Sequence, residues 1–78
     1  MTNIDKNRLA VSIGKHISYK CAEQKITQKQ LAQMTGLTEA GISRYISGQR
    51  LPRLDVLLRI AKSLQCTLDF LLYGVEYN

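Results

Sequence analysis

The residues that carry most enzyme chemistry are thin in this sequence. Histidine occurs once, as His16, and the two cysteines, Cys21 and Cys66, stand far apart without CxxC spacing. A structural zinc needs four ligands at short spacings, and an activated nucleophile needs a base within hydrogen-bond reach. These residues assemble neither, and the acidic side chains are scattered. The expectation is no catalytic residue, no metal site and no cofactor, with His16 on the surface and both cysteines as buried free thiols.

What the sequence does carry is positive charge in one place. The formal charge is +5, and residues 25–62 hold Lys25, Lys29, Arg44, Arg50, Arg53, Arg59 and Lys62 against only Glu39 and Asp55. Residues 63–78 are slightly negative through Asp69 and Glu76. Each phosphate neutralised by lysine or arginine releases a condensed counterion, so a basic stretch of this kind suits a nucleic acid. Ordinary solvated surfaces also carry lysine and arginine, so the charge acquires meaning only from the scaffold that places it.

That scaffold reads as helical throughout. One proline, five glycines and no alternating apolar runs argue against strands. Leu9, Ile13, Ile17 and Cys21 recur every four residues along a first helix over 5–24. Thr27 reads as the N-cap of a second helix, with Gln30 completing a capping box. Gly36 ends it, because only glycine takes a left-handed turn without penalty. Thr38 caps a third helix running to about Ser47, with Glu39 in the first turn favoured by the helix dipole. Pro52 precedes a fourth, striped by Leu54, Leu57, Leu58, Ala61 and Leu64, and Thr67 caps a short fifth ending at Gly74. The expected fold class is all-α: a compact five-helix arrangement in a single domain over 1–78, with Thr35, Gly36 and Leu37 as the short link between the second and third helices.

Residues 28–47, QKQLAQMTGLTEAGISRYIS, resemble the helix-turn-helix of lambda-repressor-like (Cro-like) DNA-binding proteins. Ala32 is small where the third helix packs on the second, and Leu31, Leu37, Ile42 and Tyr45 fill the space between them. The likeness continues through Ile13-Gly14, through Ile26-Thr27-Gln28, and from Pro52 to Gly74. It implies that the third helix enters the major groove of double-stranded DNA. Glu39, Ala40, Ser43 and Arg44 are then the base-contacting positions. Arg44 suits guanine N7 and O6, Glu39 can accept from cytosine N4, and Ala40 can meet a thymine methyl. Gln28, Lys29, Ser47, Gln49, Arg50 and Arg53 are the phosphate-contacting positions, which orient without reading sequence.

Two departures from that family bear on packing. Many members hold a buried arginine–glutamate pair at the positions of Cys21 and Ile46, which here are both apolar. Joint replacement is coherent, since a lone buried charge costs roughly 3–5 kcal/mol while a packed apolar pair costs little. Lys25 and Gln65 stand where helix-ending glycine is common, which implies either positive φ at those residues or turns of a different kind.

The resemblance also implies a small transcriptional regulator, a repressor, acting as a homodimer on a palindromic operator. The surplus of apolar side chains after Thr67 places the dimer contact on Phe70, Leu71, Val75 and Tyr77, the alternative being that Phe70 packs back on the first helix. The alternative reading is a protein-interaction module, such as an antitoxin, whose main ligand is another protein. Met1–Asn3 carries no basic segment followed by an apolar one, and no apolar run approaches the ~20 residues that cross a bilayer. A cytoplasmic location, without membrane or small-molecule ligand, is expected.

Overall fold

The computed structural model describes residues 5–76 and folds them into five helices. These are α1 (Lys6–Gln24), α2 (Gln28–Thr35), α3 (Glu39–Ile46), α4 (Leu54–Ser63) and α5 (Leu68–Tyr73). Local chemistry sets their boundaries. Asp5 caps α1, its carboxylate accepting from the backbone N–H groups of Asn7 and Arg8 at 3.0 and 3.2 Å. Thr27 and Gln30 form the full capping box at the start of α2, with bonds of 3.0 and 2.8 Å in the two directions. Thr38 and Thr67 accept from the Gly41 and Phe70 amides, each at 3.0 Å. Each threonine satisfies an N–H that the helix itself leaves orphaned. Lys25 and Gln65 both take the left-handed conformation, at φ 57° and 53°, so α1 and α4 end at non-glycine residues held in an unfavourable region.

The link between α2 and α3 is Gly36, Leu37 and Thr38, because Thr35 belongs to α2. Thr35 is buried, and its hydroxyl donates to the carbonyls of Leu31 and Ala32 at 2.8 and 3.2 Å. Side-chain bonding back into the preceding turn lets a polar residue close the helix inside the core.

Ile13, Ile17, Leu31, Ile42, Ile60, Leu64 and Leu71 are fully buried, drawing on all five helices. Cys21 and Ala32 join them, and Ile46 packs partly buried against the same cluster. Burial raises the Cys21 thiol above its ordinary value, and burial likewise dominates at Cys66. Both shifts favour the protonated thiol, and Cys66 is only half-buried, unlike the full burial expected for both cysteines.

The apolar stripe of α4 differs from the one expected. Leu54 and Leu58 are 62% and 51% exposed, while Val56 is buried beside Leu57, Ile60, Ala61 and Leu64. At ~100° per residue, Val56 and Leu58 lie symmetrically on either side of Leu57. The sequence makes both flanks apolar, and tertiary packing selects the Val56 side. Leu54, one turn before Leu58, shares its exposed side.

Phe70 and Leu71 are core residues, which corrects their expected place in an exposed interface: they are 5% and 0% exposed. The physical reason is the docking of α5 against both α1 and α4. The Phe70 ring packs on His16 and Tyr19, with centroids 5.6 and 6.0 Å away. Lys20 lays its ammonium 4.8 Å above the same ring. Its nitrogen also pairs with Glu76 and, at 3.0 Å, with Glu23, tying the segment after α5 to α1. Hydrogen bonds to Glu76 first and Glu23 second hold the Lys20 pKa above the usual lysine range. Val75 is exposed as expected, and Tyr77 lies outside the described residues.

Candidate nucleic-acid interface

α3 divides cleanly into two faces. Ile42 and Tyr45 enter the core, and Glu39, Ala40, Ser43 and Arg44 are all exposed. The four residues occupy the pair spacings 39/40 and 43/44, one turn apart, and so share a side of the helix. Leu37 packs partly buried against the core just before α3 begins.

Two further elements near α3 in sequence, the start of α2 and the turn after α3, carry exposed polar and cationic side chains. At the start of α2, the Thr27 hydroxyl takes the Gln30 amide and the Thr27 carbonyl takes the Leu31 amide at 2.9 Å. The first two N–H groups of the helix, on Gln28 and Lys29, have no intrahelical partner. Those amides, together with the exposed side chains of Gln28 and Lys29, form a positively polarised helix end. After α3 the chain turns back on itself: the Ser47 and Gln49 amides bond to Ser43 and Arg44 carbonyls at 3.0 Å each, and the Ser47 hydroxyl donates to the Arg44 carbonyl at 3.2 Å. This turn sets Gln49 and Arg50 on the surface, followed by exposed Arg53. Arg53 also reaches Asp55 at 3.5 Å, a contact between side chains 81% and 63% exposed and so of small energetic weight.

The remaining cations of the basic stretch lie elsewhere. Arg59 donates to the Thr35 carbonyl at 3.5 Å, at the C-terminal end of α2, and Lys62 lines the same depression with Met34. Thr35 is seven residues after Gln28 on α2, so this group sits roughly 10 Å along the helix from Gln28. Arg59 serves the orphaned carbonyls of α2 and is not part of the α3 face. His16, expected on the surface, is instead half-buried, its Nδ1 bonding the Leu71 carbonyl at 2.8 Å beside the Phe70 ring, because α5 docks over it. Among the described residues, no cluster of three or more His, Cys, Asp or Glu could hold a metal ion. No described helix is long and apolar enough to cross a membrane.

A protein-family model described as helix-turn-helix matches residues 17–71, from mid-α1 through α5. The chain belongs to the helix-turn-helix family of the lambda-repressor type. This helix-turn-helix protein is 32% identical over 74 residues to the uncharacterized HTH-type transcriptional regulator RP766 of Rickettsia prowazekii, covering 90% of the chain and 80% of RP766. It is 34% identical over 62 residues to repressor protein C2 of Salmonella phage P22, covering 80% of the chain but 29% of C2. The crystal structure of the P22 c2 repressor in complex with a synthetic operator superimposes with a TM-score of 0.76 at 33% identity, over 81% of this chain and 96% of that one. An HTH_3 family regulator from Vibrio cholerae reaches a TM-score of 0.83 over 90% of this chain and 39% of that one, and at 17% identity this likeness is one of fold.

Proposed function

We propose that this helix-turn-helix protein represses transcription by binding a palindromic operator, with α3 in the major groove. DNA-binding transcriptional regulation is the activity of the family to which it belongs. One observation carries the finer reading. The outward side of α3 presents Arg44 with Glu39, Ala40 and Ser43, all exposed and unencumbered by packing. Arg44 is the principal base reader, its planar fork matched to guanine. Gln28, Lys29, Ser47, Gln49, Arg50 and Arg53 hold the phosphates and fix the register. The similarity to c2, solved on operator DNA, supports the same docking.

Selection of bound duplexes from a random pool at physiological salt tests this reading. The expected product is a defined site with two-fold symmetry. Arg44→Ala then relaxes specificity at one base position per half-site and costs ~1–3 kcal/mol there. Equal weakening on selected and random duplexes would make Arg44 a phosphate contact. A chain with no salt-dependent duplex binding at all would instead be a protein-interaction module.

Because Phe70 and Leu71 are buried, we propose a dimer contact away from them. Leu54 and Leu58, one turn apart on α4, are the exposed apolar pair next in the chain after the phosphate-holding turn. We place the second copy there, α4 against α4. A free-standing dimer needs roughly 800 Å2 per partner, far more than two leucines provide, so the pairing is weak in solution and the duplex couples the two copies. Leu58→Lys should reduce the steepness and midpoint of operator binding and leave a single half-site unaffected. Unchanged cooperativity on the full operator would remove α4 from the contact.

A further inference from the structure

The basic surface does not stop at the turn after α3. Gly48 in that turn lies against α1: a Cβ built on it would be 2.8 Å from Val11 Cγ2 and 2.9 Å from Val11 Cα. One turn along α1, a Cβ on Gly14 would be 2.4 Å from the Ile46 carbonyl oxygen and 2.6 Å from that of Tyr45. α1 therefore crosses the C-terminal end of α3 at residues 11–14. Its first turns emerge beside Ser47, Gln49 and Arg50.

Asn7, Arg8, Val11, Ser12 and Lys15 line one shallow depression on this part of α1. Their spacing of three to four residues puts them on a single side of the helix. Arg8 and Lys15 are exposed, and neither takes part in an ion pair among the described residues. The acidic residue nearest in sequence to Arg8, Asp5, is occupied as the N-cap. Asn7 and Ser12 add neutral donors, and Val11, 45% exposed, gives the depression an apolar floor. Two cations with neutral hydrogen-bond donors around a small apolar floor match a sugar-phosphate backbone in charge and polarity. An acidic peptide would find the same cations, but the depression adjoins the turn that holds phosphates.

We infer that this side of α1 is an additional phosphate-binding element, in which Arg8 and Lys15 hold the duplex backbone next to the stretch held by Ser47, Gln49 and Arg50. The inference rests on the DNA reading above and lengthens its footprint. Seven residues of helix separate the two cations by roughly 10 Å along the axis. Phosphates of one strand advance ~3.4 Å each along the duplex, so the two side chains can take different phosphates.

The test uses the full chain and a duplex carrying the selected site with long flanks. Arg8→Gln, Lys15→Gln and the double variant are titrated from about 50 to 200 mM salt, with Arg50→Gln as reference. The slope of log affinity against log salt should fall by about one per residue replaced, and base preference should not change. Hydroxyl-radical footprints of the double variant should lose protection at the outermost phosphates. Circular dichroism should show all variants folded, since both side chains are exposed. If the double variant keeps the wild-type slope and footprint while Arg50→Gln lowers the slope, α1 does not touch DNA and the inference is overturned. If neither Arg50→Gln nor Arg44→Ala alters duplex binding, the DNA reading itself fails, and this inference with it.

Discussion

Gly14→Ala should destabilise the domain severely, although alanine is ordinarily the better helix former. Mid-helix, the exchange gains ~1 kcal/mol of propensity. Here the added methyl would sit 2.4 Å from the Ile46 carbonyl oxygen and 2.6 Å from that of Tyr45, both backbone atoms that no rotamer change can move. α1 would have to lift off α3, and the loss should reach or exceed the upper end of the ~1–3 kcal/mol usual for overpacking. Against a total of about 5–15 kcal/mol, that is a large share. Thermal melts of Gly14→Ala beside Ser18→Ala, an exposed site on the same helix, decide it. A Gly14→Ala melting point at or above wild type would refute the close crossing.

Phe70→Ala should be the most damaging single truncation on α5. The ring is 5% exposed and wedged among His16, Tyr19 and the Lys20 ammonium. Large-to-small exchange of a buried phenylalanine costs about 3–5 kcal/mol, through lost transfer energy and the cavity left behind. The cation–π contact of Lys20 disappears as well. Tyr73→Ala, at a side chain 69% exposed on the same helix, should be nearly neutral. Urea unfolding of the two variants gives the comparison. A folded Phe70→Lys variant that has lost only self-association would return Phe70 to an interface.

The contrast between these residues marks what the sequence could disclose. Thr27, Gln30, Thr38 and Thr67 act on groups two to four residues away, so their caps can be read from neighbours alone. The outward side of α3 follows from periodicity once Ile42 and Tyr45 are assigned to the core. Leu58 and Val56 are indistinguishable by pattern, and only the position of the other helices chooses between them. Phe70 in a six-residue helix offers too short a period to define a face. Lys20 is further still from legibility, because its partner Glu76 and the ring beneath it come from the other end of the chain. The Arg8–Lys15 surface is hidden for a similar reason: nothing in α1 alone says that the turn after α3 lies beside it.

The division of α3 into a buried pair and an outward quartet has an evolutionary consequence. Among the described residues, the side chains of Glu39, Ala40, Ser43 and Arg44 make no tertiary hydrogen bond and fill no part of the core, so selection for folding bears on them only through helix propensity and the weak dipole term at Glu39. Those terms amount to a few tenths of a kcal/mol per exchange, within the range surface substitutions tolerate. New side chains can therefore be sampled there without compensating changes in Ile42 or Tyr45. A lineage built on this frame can change which sequence it recognises far faster than it can change its shape, and its duplicated copies can part company in target while remaining superimposable.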